Sequence, residues 1–169
     1  MTVSSNFNLP AAEIWQLAAG GFGDTGLWAA RLDSSHLRGQ LGVGVEAGVG
    51  VEVGLGASRI CHVGDEITEE EIIAYHPDDM SFTYTQVDPP AFVSRVTNTW
   101  RVVETGASRS RLSMDIDLDV AWWARPMTPL IRVFLKRVLA ETQEELVHWA
   151  ETGDQHPRKQ ARSASVATP

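Results

Sequence analysis

MTPLIRVFLKRVLAETQEELVHWAET, residues 127–152, is the stretch whose reading decides the fold. Its apolar residues Met127, Ile131, Phe134, Leu135, Val138, Leu146 and Trp149 recur at steps of three and four, which places them on one stripe of a helix. Arg132, Lys136 and Gln143 fall on the opposite face. Thr128 before Pro129 reads as an N-cap with proline in the first turn, and Gly153 supplies the left-handed residue that ends many helices. A long helix with so wide an apolar stripe needs a cover, and the preceding chain offers only alternating strands. The expected class is therefore α+β, an antiparallel sheet against a long C-terminal helix.

Working backwards, Arg111–Ala121 alternates strictly. Leu112, Met114, Ile116, Leu118 and Val120 share one face, and Ser113, Asp115, Asp117 and Asp119 share the other. Aspartates spaced by two along one strand spread by ~6.8 Å per step, too far to converge on a metal ion, so they read as a solvated face. In Phe92–Val103 the inward set is Phe92, Val96, Trp100 and Val102, and parity carries Ser94 and Asn98 with it. One strand earlier Met80, Phe82, Tyr84 and Gln86 form the equivalent row. Turns at Gly64-Asp65, Pro77-Asp78-Asp79, Asp88-Pro89-Pro90 and Thr105-Gly106 are too short to hold crossovers, so the strands form an antiparallel meander. Tyr84, Gln86, Ser94 and Asn98 thus place polar atoms on the covered face, where they bond to each other or line a wet or ligand-filled space.

Two strands leave their faces open. In Ile67–Tyr75 either Glu69, Glu71, Ile73 and Tyr75 point inward, or Glu70, Ile72, Ala74 and His76 do. In Ser58–Val63 the alternatives are Arg59 with Cys61, or Ile60 with His62. A carboxylate such as Glu71 facing an apolar cavity would have its pKa raised and could move a proton, as could His62. Otherwise these residues are solvated.

At the N-terminal end Val3–Phe7 suits an edge strand, Pro10 opens a short helix through Ala18, and a second runs from about Phe22 to Ala30 with Asp24 as a cap. Trp15 and Trp28 pack against the long helix, or Trp28 faces a cavity. Leu41–Ala57 alternates valine and glycine with period two and reads as a hairpin turning at Glu46-Ala47-Gly48, with a structural job or as a gate over a pocket. It is not a nucleotide loop, because no helix follows to hold a pyrophosphate.

Composition narrows the partners. The 169 residues suffice for one domain, expected at 1–153 with a flexible tail at 154–169. A net charge of −8 with scattered basic residues argues against nucleic acid. No apolar run approaches the ~20 residues of a membrane span, so stable membrane insertion is not expected. The lone Cys61 and the polar Thr2–Asn8 fit a cytoplasmic protein, and no His or Cys cluster has metal-ligand spacing. Monomer and homodimer both remain open.

The order strand, two short helices, meander, long helix resembles the START-related superfamily of polyketide cyclases/dehydrases and lipid-transfer proteins. The residues that carry the resemblance are Trp28, Gly56-Ala57-Ser58-Arg59, Glu70-Glu71-Ile72-Ile73 leading to Tyr84, and Asn98-Thr99-Trp100-Arg101-Val102. It implies the helix-grip fold, a curved sheet wrapped around the helix with an elongated pocket between them, a small hydrophobic ligand and no cofactor. It also implies ligand contacts from Trp28, Arg59, Phe82, Asn98, Trp100, Met114, Phe134 and Val138. On the enzyme reading, a cyclase, aromatase or dehydratase, Glu71, Tyr84 and His62 are the catalytic candidates. On the alternative the protein carries or senses a lipid or other hydrophobic molecule without turnover. A third reading has the glycine-valine hairpin as a dimer surface and the pocket as filled core.

Overall fold

The computed structural model describes residues 1–39 and 53–166. Seven antiparallel strands form one sheet in the order β1-β7-β6-β5-β4-β3-β2. They are β1 (Thr2–Phe7), β2 (Ser34–Leu37), β3 (Ser58–Val63), β4 (Glu66–His76), β5 (Ser81–Gln86), β6 (Val93–Gly106) and β7 (Arg109–Val120). Between β1 and β2 lie helix α1 (Ala11–Trp15), which runs on as a widened turn to Gly20, and a 3-10 helix at Phe22–Leu27. Helix α2 (Thr128–Thr152) follows the sheet and α3 (Pro157–Val166) ends the described chain.

The meander forms where short polar turns separate alternating runs, and its inner rows follow from parity. Leu112, Met114 and Ile116 on β7, Trp100 and Val102 on β6 and Phe82 on β5 are all buried. Asp115, Asp117 and Asp119 are more than half exposed, and Arg95 bridges the last two. At the β6 entry Phe92 and Ser94 lie exposed, because the row leaves the core there.

Strand β2 was not expected. Its sequence, Ser-Ser-His-Leu, has no apolar alternation, and it forms because the 3-10 helix clamps it against β3. Ser35 Oγ donates to the Gly23 carbonyl and accepts from the Gly26 N–H, both at 2.6 Å. Gly26 permits this approach, since a Cβ there would sit 2.3 Å from the Ser35 nitrogen.

Helix α2 is 25 residues long and ends on Gly153 at φ 75° as expected. It begins after Met127, and no side-chain cap bond forms, so Thr128 is the first helical residue instead of the cap. The buried stripe is rotated towards Gln143 and confined to the C-terminal half, where Leu139, Gln143, Glu145 and Leu146 are buried. Gln143, expected on the solvent side, fastens the helix to the sheet. Its amide donates to the Val3 carbonyl at 3.0 Å and to that of Leu112 at 3.5 Å, and its oxygen accepts from Ser5 Oγ at 2.7 Å. Met127 and Phe134, expected on the covered stripe, are more than half exposed.

The segment expected as a tail holds helix α3. Lys159 is buried and donates to the carbonyls of Leu32 (2.5 Å) and Asp33 (3.4 Å), and Arg162 pairs with the Asp33 carboxylate at 2.7 Å. Most of the glycine-valine segment lies outside the described residues. Its end, Val53–Ala57, is a bend in which Gly56 takes φ 81° and donates to the Ile72 carbonyl.

Candidate functional site

Register settles both open strands. Arg59 lies opposite Glu70, and Ile72, Tyr84, Asn98 and Ile116 follow one another across β4, β5, β6 and β7. Residues directly opposite share a face, so Arg59, Cys61, Glu70, Ile72, Tyr84 and Asn98 all look inward. A β-bulge between Ile72 and Ala74 then shifts the register so that Tyr75, opposite Phe82, is also inward. Each alternative for β4 was thus right for half of the strand.

The buried charge on the inner face of the sheet is Arg59, 4% exposed. Its guanidinium donates to Glu70 Oε2 at 2.5–2.6 Å, to the Phe22 carbonyl at 2.9 Å and to Thr25 Oγ1 at 2.5 Å. It lies 4.2 Å from the centre of the Phe22 ring and 5.0 Å from that of Tyr84. Burial alone would favour its neutral form, but the Glu70 carboxylate keeps it protonated. Cys61 Sγ lies 3.9 Å from the same carboxylate oxygen, and burial pushes its thiol up to about 11, which leaves it unreactive near neutral pH.

Next to this pair stands a second polar group. Asn98 Nδ2 donates to the Tyr84 hydroxyl at 2.9 Å, leaving the phenolic proton available to another acceptor. Burial first, and the Glu70 charge second, raise the Tyr84 phenol well above its ordinary value, so it stays neutral and a donor. Among the described residues Asn98 Oδ1 and Trp100 Nε1 are buried without a hydrogen-bond partner. One strand further on, Ile116, directly opposite Asn98, lines a cavity of about 350 Å³ together with Met1, Asp117, Leu118 and Arg132. The cavity therefore lies between the β1/β7 edge and the first half of α2, where the helix stands away from the sheet.

Of the residues singled out in the sequence, Arg59, Phe82, Tyr84, Asn98, Trp100 and Met114 are brought together on the inner face. Phe82 stacks on Tyr84 and meets Trp100 at a tilt, with ring centres 6.2 and 5.6 Å away, and Trp15 and Phe22 extend the aromatic wall. Trp28 is buried within the same core. Val138 is half-buried on α2, and Phe134 is exposed with the Arg31 guanidinium 5.3 Å from its ring. Glu71 and His62 point to the outer face, His62 stacking on His36 with ring centres 5.8 Å apart. The inward carboxylate is Glu70. Its position opposite Arg59 was a usable signal, but the bulge hid it from a single parity count. Phe22 and Thr25, which complete the Arg59 cage, come from a helix that no strand pattern could connect to it. Among the described residues no group of three or more His, Cys, Asp or Glu side chains could hold a metal ion, and no helix is long and apolar enough to cross a membrane.

A curved antiparallel sheet gripping a long C-terminal helix, with polar groups set into the gripped face, defines a helix-grip protein. The chain belongs to the polyketide cyclase / dehydrase and lipid transport family, whose description matches residues 1–151. Among solved structures it is similar to a Thermobifida fusca protein determined by NMR in solution, at 21% identity and a TM-score of 0.68, over 92% of this chain and 95% of that one. It is also similar to a point mutant of norcoclaurine synthase from Thalictrum flavum in complex with a transition-state analogue, at 14% identity and a TM-score of 0.65, over 89% and 92% of the two chains. The Zhui aromatase/cyclase from Streptomyces sp. R1128 matches at 15% identity and a TM-score of 0.63, over 92% and 98%. At these identities the likeness is one of fold. No curated protein matches the chain in sequence.

Proposed function

We propose that this protein binds a small hydrophobic molecule carrying at least one carbonyl or hydroxyl oxygen, and acts on it in the manner of a polyketide cyclase or dehydratase. The observation that carries the reading is the Tyr84–Asn98 pair, a neutral phenol with a free proton beside a buried, unpartnered amide oxygen, at the edge of the sheet–helix space. A phenol held neutral in an apolar surrounding is a donor to a ligand carbonyl, and it strengthens as charge develops on that oxygen during enolisation. The aromatic core of Phe82, Trp100 and Phe22 gives that donor an apolar surrounding from which water is excluded, and positioning alone supplies much of the rate of an intramolecular closure. Family membership supports a hydrophobic ligand, and two structural relatives, a synthase and an aromatase/cyclase, support an enzyme.

A second reading, a carrier or sensor without turnover, is favoured by one specific contact. Glu70, the inward carboxylate of the sheet, is committed to Arg59, so among the described residues the sheet's inner face offers a proton donor but no free carboxylate base. The two readings separate experimentally. Native mass spectrometry of the purified protein, compared with its denatured mass, finds a retained hydrophobic adduct on either reading. Tyr84→Phe then loses turnover of a poly-carbonyl probe by ~100-fold or more with probe affinity nearly unchanged on the enzyme reading. Turnover absent from the wild type with binding intact leaves the carrier, whereas turnover that Tyr84→Phe does not affect keeps an enzyme but removes Tyr84 from its chemistry. No uptake of any aromatic or acyl probe ends both.

A further inference from the structure

The first half of α2 and the turn before it carry a surface that ligand binding inside the protein does not explain. Trp122 is 79% exposed, Leu130 and Val133 69%, and Trp123, Met127 and Phe134 54–55%. Leu130 and the buried Leu139 are nine residues apart, or ~2.5 turns, and so stand on opposite sides of the helix. The exposed residues are thus not the rim of the core but a second apolar face turned away from it. Trp122 and Trp123 continue this face through the 3-10 turn Trp122–Met127. The charge there is also out of keeping with the chain. Residues 121–140 hold Arg125, Arg132, Lys136 and Arg137 and no carboxylate, in a protein of net charge −8. Arg137 is paired with Glu141, and Asp117 lies across the cavity from Arg132. Among the described residues Arg125, Arg132 and Lys136 make no ion pair.

We propose that this face docks on the surface of an anionic lipid bilayer. Exposed tryptophans beside aliphatic side chains match the layered interface of a membrane, where an amphipathic ring has one side apolar and one edge wet. The unpaired Arg125 in the turn and Lys136, one turn on from Val133, match the negative headgroups. The helix stays in the interface plane and does not span. Arg132, seven residues or ~2 turns before Leu139, lies on the sheet side of the helix in the cavity wall and takes no part in this face. The proposal stands on the patch and does not depend on the ligand reading.

The test is co-flotation of the full chain with two vesicle types, phosphatidylcholine alone and phosphatidylcholine with about one-third phosphatidylserine. The wild type is expected to float with the anionic vesicles and to be released by salt, with tryptophan emission shifted to the blue. Trp122→Ser with Trp123→Ser removes the apolar contact, and Arg125→Glu with Lys136→Glu reverses the charge. Each pair is expected to weaken binding about tenfold or more. All four side chains project from the surface, and circular dichroism confirms that the variants fold. Absence of flotation with anionic vesicles overturns the proposal, as does binding that neither pair changes. So does concentration-dependent self-association of the wild type that the tryptophan pair abolishes while lipid is ignored, since the face then belongs to a second copy of the chain.

Discussion

Replacing Glu70 by glutamine keeps the shape and one acceptor oxygen but leaves the Arg59 charge in the core without its counter-ion. Two unit charges ~4 Å apart attract by ~4 kcal/mol at an effective dielectric of about 20. Part of this is retained, because the guanidinium still donates to the Phe22 carbonyl and Thr25 Oγ1 and still faces two aromatic rings. The Glu70 side chain is 23% exposed, so some water compensates as well. The expected loss is about 2–3 kcal/mol for Glu70→Gln and about 3–5 for Glu70→Ala, where the arginine loses its partner altogether. In a chain of this size that lowers the thermal midpoint by roughly 5–10 °C for the glutamine variant. Urea unfolding measures the free energy directly, and a second change identifies the cause: Arg59→Met with Glu70→Leu is expected to recover most of the loss, since it removes both buried charges. Tyr84 provides an independent reporter, because the Glu70 charge contributes to its raised phenol, which should titrate lower in Glu70→Gln. A Glu70→Gln variant within about 0.5 kcal/mol of wild type, with an unmoved Tyr84, would refute the reasoning and show that solvent, not Glu70, balances Arg59.

Gly26→Ala drives a methyl group into the β2 backbone and is expected to lose about 1–3 kcal/mol, read by urea unfolding; an unchanged midpoint would mean that β2 is not clamped there. Gln143→Leu leaves the Val3 carbonyl and Ser5 Oγ without their partner, for an expected loss of about 1–3 kcal/mol, and amide exchange in β1 should quicken; unchanged β1 protection counts against the fastening role. Asp33 is lowered from 3.8 to about 2, first by the Arg162 side-chain hydrogen bond and then by the Gly64 N–H. A folded pKa below the unfolded one gives stability that is complete above about pH 4 and fades as pH falls through about 2, on the order of 1 kcal/mol after allowing for the solvent around Arg162. Asp33→Asn should flatten that part of the pH–stability curve, and an identical slope in the variant would assign the acid sensitivity elsewhere.

Much of this architecture is legible in the residues because β5, β7 and the middle of β6 alternate without interruption, and a period of two fixes both the element and the face. The inner row Phe82, Tyr84, Asn98, Trp100 and Met114 follows from that alone. What escaped has physical causes. One extra residue in β4 exchanges faces midway, so Glu70 and Tyr75 are both inward although parity separates them. β2 is made by tertiary clamping, not by its own pattern. Helix α3 looks like a polar tail because its anchors, Lys159 and Arg162, are charged, and they bind backbone carbonyls and Asp33 that no local reading brings near. The stripe on α2 misleads for a related reason: the helix is apolar on two sides, and only packing decides which side the sheet covers.

The pairing of β1 with β7, Thr2 opposite Asp115 and Phe7 opposite Ser110, has a consequence for synthesis. Among the described residues β1 has β7 as its one sheet neighbour, and that partner is made more than a hundred residues later, which at ~5–20 residues per second is a wait of roughly 5–20 s. Until then Phe7, Ile14 and Trp15 have no shelter from β7 or α2 on the nascent chain. The polar run Thr2–Asn6 serves the chain in that interval, since an unpaired strand with serines and asparagine in place of valines is a poor template for the wrong partner.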